Sequence, residues 1–515
     1  MTTHHITLPL LCAALCVSSA SGETVVDPAS FGFSPSASGA VNAAALQKAL
    51  DGGSRTVRVS VPGTYDMDRT VYVDSHTRLE FVKGAALRKT ARYCSVVINR
   101  GAHCYGHDTD IEIKGLEIIV NGFELKFYGP EEPERFIRGQ LALYDVDHVR
   151  VSGFRCMDYG SDQYCVHIVK FRDVVFEDFE INGRKDGVHF NSGSGFVVRN
   201  GVISAGDDAV AINAGDWPDC APVIGTIENG LVERLKILPR PREQWSRQVG
   251  EFGLVIASVW PDWHVGIKLQ RNDMVRHGRN VYAVSPMPFS TNEYVSVTPP
   301  VHTNGIWKSP EGISFLFMKD DGTNRADAKN IVFRDIEVMN PNGLSIWWET
   351  GHAWSRAVHP EIKPEDYPVI DITLERCHTK FPGGPLIRRG VPANIKLVDC
   401  TSMGPLLWLG RPLQTGGRSY PGCKRRIVVE NCLFDGGPRY DFRFFGACEN
   451  LLTINDCRGT RVPAVHAVAP ATVKLSGNSA CRLVQSAEES ADYDRIVDAW
   501  LQLPIAKGGA GFYDF

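Results

Sequence analysis

Short stretches in which apolar and polar residues alternate recur along most of the chain. The clearest are DIEIKGLEI, DVVFEDFEI, GFVVRNGVI, NGLVERLKI, NIVFRDIEV, DITLERCHT, NIKLVDC and RIVVENCLF. Alternation with a period of two predicts β-strands that bury one face. The strongest spacing between equivalent stretches is about 22 to 25 residues, and irregular insertions break it elsewhere. The chain therefore reads as a succession of short, similar strands.

A strand repeat of this length without intervening helices is typical of a solenoid, because each coil buries its inward face only against its neighbours. We predict an all-β fold, a parallel β-helix. Helical periodicity is weak except over residues 41–50, which we expect to form a cap on the N-terminal end, and over residues 486–503. A β-propeller is the alternative, but its blades would repeat at about 40 to 50 residues with a blade signature that the sequence lacks.

Four cysteines follow alternating stretches at the same offset: Cys377, Cys400, Cys432 and Cys457. Residues in equivalent positions of successive coils stack, so we expect these thiols to form a small apolar ladder inside the solenoid. A metal site is the alternative. It is less favoured because the sequence has no C-x-x-C pair and no cluster of cysteine and histidine.

Composition and charge are ordinary for a folded protein, and the N-terminus predicts export. Of its 515 residues 43% are apolar and 22% charged, and the net charge of -4 gives no reason to expect a nucleic-acid partner. A short apolar run at residues 6–17, followed by small residues, predicts a signal peptide at residues 1–22 and a secreted or periplasmic protein. Residues 23–515 would form one domain, and we expect no membrane span.

Acidic residues occupy the same slot of neighbouring repeats. Asp186 begins DGVHF and Asp208 begins DAVAI, 22 residues later, with Asp207 beside it. The sequences YCVHI, EGISF and NGLSI fit the same pattern. The predicted ladder on one face is Tyr164, Asp186, Asp208, Glu311 and Asn342, and His167 and His189 form a parallel ladder. Asp207 and Asp208 reach the same side only if the chain turns at Gly206.

Carboxylates at such close quarters repel one another, and each raises the proton affinity of its neighbour. A glycosidase uses this arrangement, because one carboxyl group protonates the leaving oxygen while another activates water. The alternatives are aspartates that stabilise turns, or Ca²⁺ ligands that join coils. We favour catalysis and expect no metal and no other cofactor.

The residues Asp186 and Gly206-Asp207-Asp208 resemble the catalytic pattern of the family 28 glycoside hydrolases, the polygalacturonases. The early stretch VNAAALQKALDGG, followed by VRVSVPGTYDMDRTVYVDSHTRLEF, also looks like the opening of this superfamily. The resemblance implies a right-handed parallel β-helix and hydrolysis with inversion. It also implies Asp207 as the general acid, with Asp186 and Asp208 activating the water. Inverting sites hold their carboxyl groups about 6.5 to 9.5 Å apart.

This sequence differs from the pattern of that family in two places. Glu311 stands where the family has a histidine, unless His264 in WHVGIKL takes that role from within an insertion. The sequence Ser345-Ile346-Trp347 replaces the basic clamp that holds a uronate carboxylate. The loss of the clamp predicts a neutral, galactose-configured sugar, as in the family 110 α-galactosidases. A polygalacturonase is the alternative within the same class.

Aromatic residues lie near the predicted ladder and in an insertion at about residues 239–305. We expect an oligo- or polysaccharide to contact Trp347, Trp348, His189, Glu311 and His264. The aromatic residues of the insertion either line the glycan site or pack as a satellite core. Two further functions stay open: a calcium-dependent polysaccharide lyase using Arg184 or Lys185, and a non-catalytic, adhesin-like glycan binder.

Overall fold

The computed structural model describes most of the chain between residue 24 and residue 486. The described residues are 24–104, 106–120, 137–158, 161, 163–215, 223–239, 251–270, 273–284, 293–303, 305–339, 342–350, 362–380, 386–388, 394–409, 422–434 and 440–486. The expected signal peptide and nearly all of the weak helical pattern at residues 486–503 lie outside these ranges. None of the helices in the described part has the length and apolar character needed to cross a bilayer.

The helices in the described part of the chain are few and short. They are α1 (Gly39–Leu50), α2 (Arg100–Cys104) and the 3-10 helices Pro28–Phe31 and Pro364–Asp366. The strands before the candidate site are β1 (Val25–Val26), β2 (Arg55–Val59), β3 (Gly63–Met67), β4 (Val71–Val73), β5 (Thr77–Phe81), β6 (Ala85–Lys89), β7 (Val97–Asn99), β8 (Asp108–Lys114), β9 (Glu117–Val120), β10 (Gly139–Ser152) and β11 (Arg155–Asp158).

The strands through the middle of the chain are β12 (Tyr164–Gly183), β13 (Val188–Ala205), β14 (Val210–Asn213), β15 (Ile227–Ile237), β16 (Glu251–Val259), β17 (Ile267–Leu269), β18 (Met274–His277), β19 (Asn280–Val284), β20 (Tyr294–Ser296), β21 (Ile306–Lys308), β22 (Ser314–Lys319), β23 (Arg325–Ala326), β24 (Ala328–Val338) and β25 (Asn342–Thr350).

The remaining strands are β26 (Ile370–Glu375), β27 (His378–Thr379), β28 (Ile387–Arg388), β29 (Asn394–Val398), β30 (Thr401–Ser402), β31 (Leu407–Leu409), β32 (Cys423–Glu430), β33 (Leu433–Phe434), β34 (Phe442–Phe444), β35 (Cys448–Asn455), β36 (Arg458–Gly459), β37 (Ala464–Val468), β38 (Thr472–Gly477) and β39 (Arg482–Ser486).

Among the described residues, thirty-three strands form one continuous sheet that winds into a right-handed parallel β-helix, as expected. The strands stack in three columns, which we call faces 1, 2 and 3. Face 1 includes β2, β5 and β8, and it continues through β15, β24, β26, β29, β32, β35 and β38. Face 2 includes β3, β6, β9 and β11, and further along the chain β27, β30, β33 and β36. Face 3 begins with β4 and β7 and includes β14, β16, β25, β28, β31, β34, β37 and β39. The long strands β10, β12 and β13 bend around more than one face.

The corner between faces 1 and 2 is built from residues in the left-handed conformation. They stack from coil to coil as Gly115, Gly153, Asp178, Asn200, Arg234, Asp335, Arg376, Asp399, Asn431 and Asp456. Glycine, asparagine and aspartate adopt this conformation most readily, and they fill all but two of the positions. The side chains also join coils, since the Asn200 amide donates to Asp178 at 3.0 Å. This corner sets the repeat length and holds the faces in register.

Helix α1 confirms the predicted cap at residues 41–50. Its hydroxyl N-cap is Ser38, whose side chain accepts a hydrogen bond from the Val41 amide, and it buries Leu46 and Leu50 against the first coil. Gln47 exchanges two hydrogen bonds with the Tyr72 backbone, at 2.8 and 3.1 Å. Because these bonds occupy backbone groups on the first strand of face 3, the helix shields an edge that would otherwise be open to further pairing.

The cysteine ladder is also confirmed. Cys377, Cys400 and Cys432 are fully buried and Cys457 packs against the same core. Each thiol follows a left-handed corner residue and donates to a backbone carbonyl, as Cys400 does to Leu374 at 3.5 Å. Phe179 occupies the same position, one residue after the corner, in an earlier coil. The thiols therefore serve as small core residues where earlier coils use larger apolar ones.

A lobe interrupts the solenoid between β16 and β23, which pair with each other antiparallel at its base. It holds a two-stranded sheet of β17 and β20 and a four-stranded antiparallel sheet of β18, β19, β22 and β21. Its sheets thus lie between residues 267 and 319, further along the chain than the predicted insertion at 239–305. The register places β16, which falls within the predicted range, inside the solenoid.

The aromatic residues of the lobe form a satellite core. Tyr282 and Phe315 are buried there, and Trp263, Tyr294 and Trp307 pack against them. Trp260 is buried in the main core instead, under the Lys319 ammonium group at 4.7 Å from its ring. Of the two interpretations of these aromatic residues, the structure favours packing. Trp245, another aromatic residue of the predicted insertion, lies outside the described residues.

Candidate active site

Two stacked turns carry the three aspartates. One joins β12 to β13 and contains Lys185 and Asp186; the other joins β13 to β14 and contains Asp207 and Asp208. Backbone bonds hold them in register, since the Gly206 amide donates to the Gly183 carbonyl at 2.9 Å. The predicted turn at Gly206 is therefore present, and it lets neighbouring aspartates reach the same side.

The turns pack too closely for a side chain at Gly187. A β-carbon there would lie 2.5 Å from the Ala209 carbonyl oxygen, which is too short for any real contact. Glycine at this position allows the Gly187 amide to donate to the Asp208 carbonyl at 2.8 Å. This close approach brings together one oxygen each of Asp186, Asp207 and Asp208, all within 4.8 Å of one another.

The three carboxyl groups differ in exposure. Asp186 and Asp208 are buried, whereas 30% of the Asp207 side chain is exposed. Lys185 occupies the slot one coil before Asp207, and its ammonium group forms an ion pair with the Asp207 carboxylate. Asp207 is thus the carboxyl group that a ligand reaches first, and a cation already lies beside it.

Burial raises the pKa of Asp186, and the charge of Asp207 adds to the rise. A hydrogen bond from His189 and the charge of Lys185 oppose it. The net pKa lies above the ordinary value for aspartate, so Asp186 holds its proton to higher pH than an exposed carboxyl group does.

Below Asp186 runs a buried chain of hydrogen bonds. The Asn213 amide donates to His189 Nε2 at 3.2 Å, which leaves Nδ1 as the donor to Asp186 at 2.6 Å. Asn191 donates to the Asn213 carbonyl at 2.9 Å and accepts from His167 Nε2 at 2.6 Å. Sequence reasoning did not identify Asn191 or Asn213. Asn191 lies two residues after His189 on β13, and Asn213 lies 22 residues after Asn191, one coil further along.

The histidine ladder is confirmed, but the predicted substrate contact at His189 is not. His167 and His189 are register partners on β12 and β13, with rings 5.0 Å apart. The Tyr164 ring stacks on His189 at 4.2 Å, and only 1% of His189 is exposed. The ring lies between Tyr164 and Asp186, and its predicted contact with substrate stays a prediction.

The ladder of acidic residues needs one correction. Register pairs Val210 with Gly253 and Gly253 with Leu344, so the slot after Asp208 belongs to Glu251, followed by Asn342. Glu311 lies instead in the turn between β21 and β22 of the lobe, exposed, where hydrogen bonds from Ser309 and Thr298 lower its pKa. The sequence search missed Glu251 because Phe252 stands where the pattern expects a small residue.

The other predicted contacts divide between the lobe and the solenoid. His264 is exposed in the loop before β17, where its Nδ1 lies 3.2 Å from the Val265 carbonyl oxygen, outside every coil. Ser345 and Trp347 lie in β25 as register partners of Leu254 and Ile256. The backbone of Trp347 and Trp348 therefore runs along face 3, two coils from Asp208, and their predicted contact with a sugar stays a prediction.

The arrangement suits two kinds of chemistry. Three converging carboxyl groups of unequal burial can hold and transfer protons, and their oxygens are also close enough to share a cation. A spacing within 4.8 Å is tighter than the separation expected for an inverting pair. Inversion accordingly stays a prediction. Lys185 already places a positive charge at Asp207, which competes with a divalent ion there.

Comparison with known proteins adds architecture only. No family model and no curated protein matches the chain. A family 28 exopolygalacturonase of Yersinia enterocolitica is similar over 90% of this chain and 78% of its own, at 12% identity and a TM-score of 0.44. A hyperthermoactive exopolygalacturonase of Thermotoga maritima is similar over 90% of this chain and 92% of its own, at 11% identity and a TM-score of 0.46. A surface adhesin of Streptococcus pneumoniae is similar over 90% of this chain and 91% of its own, at 12% identity and a TM-score of 0.38. At these identities the likeness concerns the fold alone.

Proposed function

We propose that the protein is an exported glycoside hydrolase whose catalytic residues are Asp186, Asp207 and Asp208. The observation that carries the proposal is the convergence of three carboxyl groups from two stacked turns, one of them supported from below by a buried histidine. An adhesin gains nothing from clustering like charges, which costs stability. A hydrolase needs at least two carboxyl groups in different protonation states.

In this proposal Asp207 is the acid, because it is the most exposed of the three and can approach a glycosidic oxygen. Its ion pair with Lys185 opens and the carboxylate takes up a proton from solvent, which it then donates to the glycosidic oxygen. Asp186 and Asp208 activate the attacking water from below. His189 donates to Asp186 and keeps its carboxylate oriented while it accepts the proton from water.

The proposed substrate is a glycan with a neutral, galactose-configured sugar beside Asp207. Support comes from face 3, where Ser345, Ile346 and Trp347 stand in the strand that carries the family's basic clamp. Polygalacturonate hydrolysis is the second candidate, and a specific observation favours it. Lys185 places a cation beside the aspartates, and this cation could replace the missing basic clamp. A uronate carboxylate needs such a partner.

The test is incubation of the purified protein with a glycan panel that contains pectic fragments and α-galactosides, followed by mass spectrometry of the products. The control is a protein with Asp186→Asn, Asp207→Asn and Asp208→Asn together. We expect products one water heavier in sum than the substrate, formed by the wild type alone. Unsaturated products would identify a lyase, and glycan binding without any product would identify a binding protein.

A further inference from the structure

A second cluster of reactive side chains lies on face 1, away from the aspartates. The strands β32 and β35 begin with Cys423 and Cys448, which are direct partners in the parallel register. Register partners on parallel strands are about 4.8 Å apart, within the range of about 4.4 to 6.8 Å that a disulfide spans between α-carbons. The two thiols are close enough to influence each other's pKa. Their backbone thus already has the spacing of a disulfide.

The pair opens into a cavity of about 220 Å³. Cys423 and Cys448 line it together with Lys424, Glu449 and Thr472. The exposed fractions of the two cysteines are 6% and 3%, whereas Cys377 and Cys400 of the cysteine ladder are fully buried. A small reagent can therefore approach this pair but not Cys377 or Cys400.

Charge around the pair favours one thiolate. A hydrogen bond from Cys423 and the positive charge of Arg425 lower the pKa of Cys448 to about 7. Arg425 is itself buried and donates to the Asn450 side chain at 3.0 Å. The pKa of Cys423 is raised by its hydrogen bond with Cys448 and by burial, so the pair loses its first proton easily and its second with difficulty.

More exposed cysteines provide the contrast. Cys457 and Cys481 are both partly exposed, yet their pKa values are raised. The neighbouring thiol of Cys432 and burial raise the pKa of Cys457, and burial raises the pKa of Cys481. Exposure alone would make these two react first. Thiolate formation would make Cys448 react first. The two explanations give opposite orders of reaction in the same molecule.

We propose that Cys423 and Cys448 form a thiol–disulfide exchange site for low-molecular-weight disulfides. The Cys448 thiolate attacks one sulfur of the disulfide, which releases the other half as a thiolate and leaves a mixed disulfide. Cys423 then loses its proton and attacks the Cys448 sulfur, which releases the second thiolate and closes the Cys423–Cys448 bond. The incoming disulfide is reduced, the pair is oxidised, and the two protons leave with the two released thiols.

The experiment uses glutathione disulfide as the probe on the full-length exported protein, with peptide mapping by mass spectrometry. We expect a Cys423–Cys448 crosslink in the wild type, reversed by excess reduced glutathione. Cys423→Ser should trap a glutathione adduct on Cys448, and Cys448→Ser should take up none at position 423. Iodoacetamide should label Cys448 before Cys457 and Cys481, with a rate that rises through pH 7.

Two outcomes would overturn the proposal. One is a pair that stays reduced under glutathione disulfide while Cys457 or Cys481 is modified. The other is labelling in which Cys448 follows the more exposed cysteines at neutral pH. Both can be observed in the unmutated protein, so a variant that fails to fold does not obscure the result. Neither depends on glycoside hydrolysis, because face 1 carries this pair five coils beyond β13.

Discussion

Single residues decide how protons are shared at the candidate active site. Asp207 is exposed and faces a cation, while Asp186 is buried and held by His189. The same residue type thus has two environments within 4.8 Å, which is the condition for an acid and a base to coexist. Two predictions at this scale separate their roles.

Replacing the proposed acid should abolish turnover without unfolding the protein. Asp207→Asn keeps the shape of the side chain and removes its proton, so we expect a loss of at least about a hundredfold in kcat/KM. Asp178→Asn is the matched control, because it makes the same change at an exposed corner where asparagine is equally suited. Near wild-type turnover in a folded Asp207→Asn protein would exclude Asp207 as the acid.

Removing the support of Asp186 should shift the pH profile. His189 donates to the ionised carboxylate and thereby lowers a pKa that burial has raised. In His189→Gln this stabilisation weakens, the pKa of Asp186 rises further, and ionised base forms only at higher pH. We expect the acid limb of kcat/KM to move to higher pH, measured from the rate across the pH range. The basic limb belongs to another group and should stay, whereas a uniform drop at every pH would indicate a structural role alone.

The sequence was informative about residues where spacing was regular. Asp186 and Asp208 are one coil apart with nothing inserted, so their shared slot could be predicted from the repeat. Glu311 was placed wrongly because the lobe between β16 and β23 breaks the count, and only the register reveals Glu251. The buried asparagines under His189 carry no pattern of their own, since polar residues on the outward face of a strand are ordinary.

Stacked elements depend on complementary side chains in successive coils. Gly201 on β13 lies over the Phe179 ring of the coil before it, and a β-carbon at Gly201 would meet that ring at 2.1 Å. The same relation recurs one coil later, between Gly230 and Phe196. In each pair, the phenylalanine ring of one coil fills the space beside a glycine of the next coil, which allows the coils to keep their spacing.

This packing gives a stability prediction. Gly201→Ala forces the Phe179 ring to move, and overpacking of this kind costs about 1 to 3 kcal/mol. We expect a lower Tm and unfolding midpoint in the single variant, and partial recovery in Gly201→Ala with Phe179→Leu, which provides space for the new methyl group. A loss in the double variant equal to the sum of the losses in Gly201→Ala and in Phe179→Leu alone would show that the two positions act independently. Val202→Ala, at an exposed neighbouring position, is the control.

The elements themselves were predictable because strand alternation and coil length follow from burial on one face. The cap, the strands and the cysteine ladder all rest on such local periodicity. The small sheets of the lobe could not be predicted in the same way. Their strands pair antiparallel across loops of varied length, so no repeat marks them, and their aromatic residues resemble a binding surface until their burial is known.

At the scale of the whole molecule, the route of water to the sugar determines the stereochemistry. The resemblance to family 28 predicts inversion, while the close grouping of the carboxyl oxygens would also allow a nucleophile or a shared cation. We expect the first-formed product to have the opposite anomeric configuration to the substrate, as followed by NMR during early turnover. Activity should survive EDTA, and its loss with recovery on adding Ca²⁺ would favour the lyase.

Substrate charge is the remaining question for the whole molecule, because it depends on which coils and turns supply cations around the aspartates. Face 3 offers Ser345 and Trp347 in place of the basic clamp, whereas the turn before β13 offers Lys185. Lys185 is already paired with Asp207, and a uronate would have to compete for it. We therefore predict faster turnover of a galactoside than of a galacturonide with the same linkage.

The ratio of the two rates, rather than either rate alone, isolates the recognition of charge. Lys185→Gln removes the cation and alters the surroundings of Asp207 for both substrates, so a general loss of activity cancels in the ratio. Lys170→Gln is the control, because that lysine pairs with Asp145 on the surface. If the galacturonide reacts faster in the wild type and only Lys185→Gln removes the preference, the clamp has moved from face 3 to this turn. The neutral-sugar prediction would then be wrong, and Lys185 would be the residue that selects the uronate.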